Sequence, residues 1–113
     1  MVELDLEIRQ DTLFVRPEGE LDLGVADFLR NALEESLNKN PVRHLVLNLS
    51  RVSYIDSSCL GVILGRYKRL AREGGRVSLV GLQPHVRRIC ELSGLLRIMG
   101  EYTTEEEAVA RAG

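Results

Sequence analysis

The chain has 113 residues, a net charge of −2 and a hydrophobic fraction of 44%. This length suits one domain spanning residues 1–113, and the ordinary balance of 28% charged and 4% aromatic residues excludes a disordered chain and a coiled coil. Two cysteines are too few for a disulfide framework. Without a CxxC motif or a His/Cys cluster, we expect no metal and no cofactor.

Charge is spread unevenly along the chain. Residues 57–100 hold two acids and eight bases, whereas both flanks are acidic. No nucleic-acid motif accompanies the bases, so we expect no direct nucleic-acid partner and favour an acidic protein surface as the complement. The acidic N-terminus lacks the basic region and apolar core of a signal peptide, and no apolar run is long enough to cross a bilayer. We therefore expect a cytoplasmic protein without a membrane partner.

Two kinds of periodicity alternate along the sequence. Apolar and charged residues alternate over residues 2–8, which is typical of a half-exposed strand. Residues 44–49 are apolar on nearly both faces, which is typical of a central strand. Apolar spacings of three and four residues predict helices that follow Asp22 and Asp56, two good N-cap residues.

These patterns predict nine elements. The five predicted strands cover residues 2–8, 12–16, 44–49, 76–82 and about 96–98; a turn at Gln10-Asp11 joins the first two, and Pro17 and Gly19 end the second. Of the four predicted helices, the first is capped by Asp22 and stopped at Asn40-Pro41, the second runs from Asp56 to Glu73, and the short third runs from Pro84 to a cap at Gly94. The fourth is acidic, and Thr103 and Thr104 precede its Glu106 and Glu107 at capping-box spacing. The order ββαβαβαβα predicts an α/β fold with a mixed β-sheet and packed helices.

The strongest candidate for chemistry is the segment SYIDSSCLG at 53–61, where a strand-to-loop segment turns into the second helix. With Asp56 as N-cap, Ser57 is the first residue of the second helix, and its hydroxyl lies near unpaired backbone amides and the positive end of the helix dipole. A phosphate is favourable at such a position. From the residues alone, an ordinary helix start explains the same motif, and both interpretations stay open.

Three weaker candidates lie elsewhere. The acidic turn at residues 19–22 leads into the first helix and is either a functional turn or only a turn glycine with an N-cap. Gly61 and Gly65 each cost the second helix about 1 kcal/mol relative to alanine, which indicates close backbone packing or the close approach of a partner. A basic stripe on the same helix is typical of a solvated face; it consists of Arg66, Arg69 and Arg72, with Lys68 beside it.

No motif in the chain indicates an enzyme. The spacing Gly61-x-x-x-Gly65 lacks the following Lys-Ser/Thr of a phosphate-binding loop, and neither a GxGxxG motif nor a nucleophile elbow is present. His44 and His85 have no carboxylate or second histidine at a suitable spacing, so both are expected to be structural or exposed.

Five stretches of the sequence carry a resemblance to a known family. They are GELD at 19–22, RHLVLNL at 43–49, DSS at 56–58, LGVILGRYK at 60–68 and SGL at 93–95. In order and spacing they resemble the anti-sigma-factor antagonists of the STAS family, in particular the sporulation antagonists of the anti-sigma-F factor. The resemblance covers nearly the whole chain and implies a single STAS domain.

The resemblance implies a partner switch. The unphosphorylated antagonist binds an anti-sigma factor that is also a serine kinase and thereby frees the sigma factor; phosphorylation of one serine ends this binding, and a PP2C-type serine phosphatase restores it. Alignment with the family places the phosphorylated serine at Ser57, with Ser58 as the less favoured neighbour. The implied partner-binding residues are Glu20, Asp22, Asp56, Ser57, Ser58, Cys59 and Gly61.

Two other uses of such a domain stay open. One is an interaction module of a stress-signalling or lipid-transport assembly, and the other is nucleotide binding near the Ser57 loop, for which the sequence offers no phosphate loop.

Cys59 departs from the family, in which this position is usually glycine. We expect its side chain to narrow access to Ser57 or alter the partner fit, and its thiol, near a helix N-terminus, to be reactive if it is accessible.

Overall fold

A mixed β-sheet forms the centre of the computed structural model, which describes residues 2–111. Within these residues there are six strands: β1 (Glu3–Arg9), β2 (Thr12–Leu21), β3 (His44–Asn48), β4 (Val52–Ile55), β5 (Arg76–Val80) and β6 (Gly100–Tyr102). The same residues form four α-helices: α1 (Leu23–Lys39), α2 (Ser57–Arg72), α3 (Pro84–Leu92) and α4 (Glu105–Arg111). The predicted order of strands and helices is confirmed, and the short strand β4 is an addition between β3 and α2.

The strand β2 pairs with two different neighbours along one edge. Its first residues, Thr12–Val15, lie parallel to β3, and its last residues, Gly19–Leu21, lie parallel to β4. The prediction that Pro17 and Gly19 end this strand is therefore wrong. Pro17 lies between the two pairing regions, where its missing N–H breaks no ladder hydrogen bond. Gly19, with a φ of 126°, lies at a register shift within the β4 pairing, between the pairs Gly19–Val52 and Glu20–Tyr54.

The remaining pairings complete a sheet in the order β1-β2-β3-β5-β6, with β4 beside β2. β1 is antiparallel to β2, and the other pairs are parallel. β3 is buried on both faces from His44 to Leu47, as the sequence predicts for a central strand. Helices α1, α2 and α3 cover one face over the main core, and α4 covers a smaller cluster on the other. That cluster consists of Phe14, Val46, Val80 and Ala108, with Tyr102 packed against it.

The last strand lies later than predicted. Residues Leu95–Arg97 form a short 3-10 helix, and the strand that pairs with β5 is Gly100–Tyr102. Gly94, at a φ of 86°, ends α3 in the left-handed region and directs the chain straight into this helical turn. Leu95 and Met99 are buried in the main core, so the apolar character of this stretch reflects core packing and not strand pairing.

Capping residues set the helix boundaries close to their predicted positions. Asp22 and Asn40 bound α1, and Asp56 and Glu73 bound α2. At the start of α4, the backbone N–H of Glu107 donates to the Thr104 hydroxyl at 3.1 Å. No helix within residues 2–111 is both long and apolar enough to cross a membrane.

A salt bridge fastens α4 to the sheet. The carboxylate of Glu105 accepts hydrogen bonds from Arg16 Nε at 2.7 Å and from Asn48 Nδ2 at 2.8 Å. Arg16 also binds Asp5 and Glu7 of β1, each at 2.7 Å. One guanidinium therefore joins β1, β2 and α4.

A polar pair lies inside the sheet. The side chain of His44 is 2% exposed, and its Nε2 lies 2.7 Å from the Oγ of the buried Ser78. Burial, with a smaller contribution from the charge of Arg76, lowers the pKa of His44 to about 4. The imidazole is therefore neutral at neutral pH, and its role is structural.

Candidate functional site

The ends of β2 and β4 bring two turns of the chain together. Because these strands are parallel, with Leu21 opposite Ile55, the chain leaves the sheet twice at the same edge and enters a helix each time. The backbone N–H of Asp56 donates to the Leu21 carbonyl at 3.1 Å, which fastens one turn to the other. The two turns, residues 19–24 and 53–58, are referred to below as the two-turn site.

Asp56 stabilises the start of both helices. Its Oδ1 accepts hydrogen bonds from the backbone N–H of Ser58 at 3.0 Å and from the Ser58 hydroxyl, and its Oδ2 accepts one from the backbone N–H of Leu23 at 3.1 Å. These bonds, first of all that from the Ser58 hydroxyl, hold the pKa of the Asp56 carboxyl below its usual range. Asp22 caps α1 separately, accepting from the backbone N–H of Gly24 at 3.0 Å.

Ser57 is exposed at the start of α2, as is Ser53 within β4. Ser57 is the first residue of α2, and its hydroxyl has no hydrogen-bond partner within residues 2–111. The hydroxyl of Ser58, in contrast, is engaged with Asp56 and is partly buried. Within residues 2–111 no side chain hydrogen-bonds to the Ser57 hydroxyl, so it is open to solvent at the start of α2.

Cys59 lies in the core. Its side chain is 0% exposed, and its thiol donates to the backbone carbonyl of Asp22 at 3.4 Å. Burial raises the pKa of the thiol, so the expectation of a reactive thiolate is wrong. Cys59 shares the buried face of α2 with Val62 and Ile63. Burial raises the pKa of its thiol in spite of its place in the first turn of the helix. The side chain therefore points away from the solvent around Ser57.

Gly61 and Gly65 face open space. A Cβ atom added at either glycine has no atom within 4 Å in the described chain apart from its chain neighbours and the surrounding backbone of α2. Close backbone packing within residues 2–111 therefore does not explain these two glycines, and the close approach of a partner is the alternative that stays open. Gly61 lies one helical turn after Ser57, so both residues are on the same side of α2.

The basic stripe of α2 is only partly solvated. Arg66 Nε lies 2.9 Å from one carboxylate oxygen of Glu34, and Arg69 donates to the other oxygen at 2.9 Å. Glu34 belongs to α1, so these two arginines join the C-terminal halves of the two helices. Lys68 and Arg72 are exposed to solvent.

Two large exposed residues belong to the site. Tyr54 lies in the segment 53–61 that the sequence indicates, whereas Leu23 was not identified from the sequence as exposed. Leu23, the first residue of α1, is 76% exposed, and Tyr54 is half-exposed and stacks on His85 with 6.2 Å between the ring centroids. The available signal was a leucine directly after an N-cap aspartate, a position that faces away from the buried face of its helix.

The remaining predicted site residues divide into two groups. Glu20 and Asp22 lie in the first turn of the two-turn site, at the end of β2, and Glu20 is exposed. Asp56, Ser57 and Ser58 form the second turn.

Within residues 2–111 no group of three His, Cys, Asp or Glu side chains is arranged to hold a metal ion.

Comparison with known proteins places this geometry in a family. The STAS domain model matches residues 3–108. The chain is 37% identical over 108 residues to an anti-sigma F factor antagonist of Paenibacillus polymyxa, with 96% of this chain and 92% of that protein covered. The solved structure of the anti-sigma factor antagonist SpoIIAA in its unphosphorylated form matches with a TM-score of 0.86 at 33% identity, covering 97% of this chain and 96% of that one.

A second solved structure is that of the Bacillus cell fate determinant SpoIIAA in the phosphorylated form. It matches with a TM-score of 0.77 at 32% identity and covers 98% of this chain and 100% of that one. The same fold is thus found in relatives with and without phosphate. The family match, the sequence identity and the shared fold agree, and the chain belongs to the STAS domain family.

Proposed function

We propose that this chain is an anti-sigma-factor antagonist of a partner-switching pathway. In its unphosphorylated form it binds an anti-sigma factor with serine kinase activity and frees the sigma factor. Phosphorylation of Ser57 abolishes the binding, and a PP2C-type serine phosphatase restores it. The protein acts in the cytoplasm, where sigma factors work, and is not itself an enzyme.

The exposed hydroxyl of Ser57 is the observation that carries this proposal. It stands at the first residue of α2, next to the N-terminus of α1, and both helix ends are already capped by carboxylates. A kinase can therefore reach this hydroxyl without breaking a hydrogen bond of the described chain. Relatives at 37% and 33% identity carry the name of anti-sigma factor antagonist, which supports the same function.

The proposed partner surface surrounds Ser57. It combines the acidic turn with the open side of α2 and the exposed Leu23 and Tyr54. Of the predicted partner-binding residues, Cys59 contributes by filling the core beneath the surface, because its side chain is buried. The proposed contact residues are Glu20, Asp22, Asp56, Ser57, Ser58 and Gly61.

The test is site mapping of the phosphate after incubation with the cognate kinase and ATP. We expect phosphate on Ser57 in the wild type and in Ser58→Ala, and none in Ser57→Ala. Ser58→Ala is the matched control, since it removes a neighbouring hydroxyl that already donates to Asp56. Phosphate found mainly on Ser58, or on neither serine, would contradict the proposal.

A further inference from the structure

The outer edge of β1 carries unpaired backbone groups. β1 pairs with β2 on one side, and no strand within residues 2–111 pairs with its other side. The two-residue turn at Gln10-Asp11 places Arg9 opposite Thr12, a pair that must exchange both of its hydrogen bonds. Alternation along the strand then turns the N–H and C=O groups of Leu4, Leu6 and Ile8 outward. The edge presents these donors and acceptors in one continuous row.

The same three residues form an apolar row of side chains. Leu6 and Ile8 are each 38% exposed, and Leu4 is partly buried. Edge strands of soluble proteins are usually protected from pairing by charged side chains, above all lysine, or by proline, a bulge or a covering element. β1 contains no lysine or proline, and its seven pairs with β2 run without a register shift. Its charged residues alternate with the apolar row and therefore lie on the opposite face of the strand. An edge of this length with one apolar face is suited to accept another strand.

We propose that β1 pairs antiparallel with β1 of a second copy of this chain, with Leu6 opposite Leu6 across the two-fold axis. In this register Leu4 lies opposite Ile8 of the second copy on both sides of the axis. The outward backbone groups then form on the order of six hydrogen bonds between the copies. The result is one continuous sheet through both molecules, with an apolar seam on the face that carries α1.

Charge on the other face of β1 favours a second copy as the occupant. Glu3 faces Arg9 of the second copy twice, which gives two opposite-charge pairs, and each Arg9 also binds Glu7 of its own strand at 2.9 Å. Asp5 faces Glu7 of the second copy, but Arg16 of each molecule already binds its own Asp5 and Glu7 at 2.7 Å and offsets part of their charge. A strand of another protein would match this edge only if its apolar residues faced Leu4, Leu6 and Ile8 and a basic residue faced Glu3. A second copy of β1 meets both conditions in the register proposed here.

Sedimentation equilibrium over a range of protein concentrations tests the proposal. We expect a monomer–dimer equilibrium in the wild type and a dissociation constant at least about tenfold higher in Leu6→Lys, which places two charges together at the axis. Leu92→Lys is the matched control, because Leu92 is 72% exposed on α3 and should leave the equilibrium unchanged. A wild type that stays monomeric up to about 1 mM, or equal effects of both substitutions, would overturn the proposal.

Amide hydrogen exchange provides a second test that needs no variant. The amides of Leu6 and Ile8 should exchange quickly in dilute protein and become protected as concentration rises, whereas those of Glu7 and Arg9, which point toward β2, should be protected throughout. Concentration-independent exchange at Leu6 and Ile8 would exclude this edge. The dimer does not depend on the proposed function, so Ser57→Asp should dimerise like the wild type whatever its affinity for an anti-sigma factor.

Discussion

At the scale of single residues, Asp56 is the side chain that hydrogen-bonds to the first turns of two helices. It caps α2 through Ser58 and accepts a hydrogen bond from Leu23 at the start of α1, whereas Asp22 caps α1 alone. Loss of one N-cap costs about 1 kcal/mol of stability, which we expect for Asp22→Ala. Asp56→Ala should destabilise the protein more, because both helices lose a partner. Urea unfolding of the two variants measures the order, and equal losses would mean that the Leu23 bond contributes nothing.

His44 predicts a dependence of stability on pH. Its pKa is about 4 in the folded protein and near 6.5 in an unfolded chain, so the unfolded state binds more protons between these values. Stability should therefore fall as the pH falls through this window. The loss attributable to His44 between pH 8 and pH 5 is about 2 kcal/mol.

Urea unfolding at pH 8 and pH 5 checks this prediction when wild type and His44→Gln are compared. The glutamine cannot titrate but keeps a polar group near Ser78. Other groups titrate in both proteins, so only the difference between the two losses belongs to His44. Identical losses in wild type and variant would show that the imidazole gains access to solvent on protonation.

At the scale of elements, α2 combines a buried face with an open one. Gly61 has room for a methyl group, and alanine is about 1 kcal/mol more favourable than glycine in a helix. We therefore expect Gly61→Ala to raise the melting temperature. Under the proposed function the added methyl meets the partner, so affinity for the anti-sigma factor should fall by about tenfold, as for a modest overpacking.

Gly65→Ala is the control for this element, because its Cβ position is equally open and lies one turn further from Ser57. It should stabilise the helix similarly and affect binding less. Calorimetry of both variants, followed by titration with the anti-sigma factor, separates the two effects. Unchanged affinity in Gly61→Ala would mean that the partner does not approach this part of α2.

At the scale of the whole molecule, we expect phosphorylation to act through charge and bulk without a change of fold. A phosphate adds about −1.5 to −2 charges at a helix start, where the dipole favours it. At a partner interface, two like charges about 4 Å apart repel by roughly 4 kcal/mol at an effective dielectric of 20. Ser57→Asp should therefore bind the anti-sigma factor much more weakly while keeping its circular dichroism and melting behaviour.

Backbone amide shifts of the phosphorylated protein provide the decisive measurement. They should change near residues 19–24 and 53–62, around the two-turn site, and remain constant in the rest of the sheet. Relatives with this fold are known in unphosphorylated and phosphorylated forms, which agrees with a conserved overall structure. Shifts spread through β3 and β5 would require an allosteric mechanism instead.

The sequence predicted the elements whose signals are local. Asp22 and Asp56 mark helix starts by their own capping chemistry, and the apolar run of β3 indicates its burial. The strand β4 was not distinguished from a loop, because its four residues pair only with the distant end of β2. Long-range contacts also explain the bond from Leu23 to Asp56, since no spacing within either segment encodes it.

Because the two-turn site is built from segments far apart in the sequence, it can form only late in the synthesis of the chain. The bond between Leu23 and Asp56 spans 33 residues of chain, and the pairing of β2 with β4 spans a similar separation. A ribosome must therefore release the start of α2 before the surface around Ser57 can exist. Under the proposed function, a nascent or partly unfolded molecule presents neither half of that surface correctly. The anti-sigma factor should therefore bind only completely folded molecules, so that only folded antagonist contributes to the release of the sigma factor.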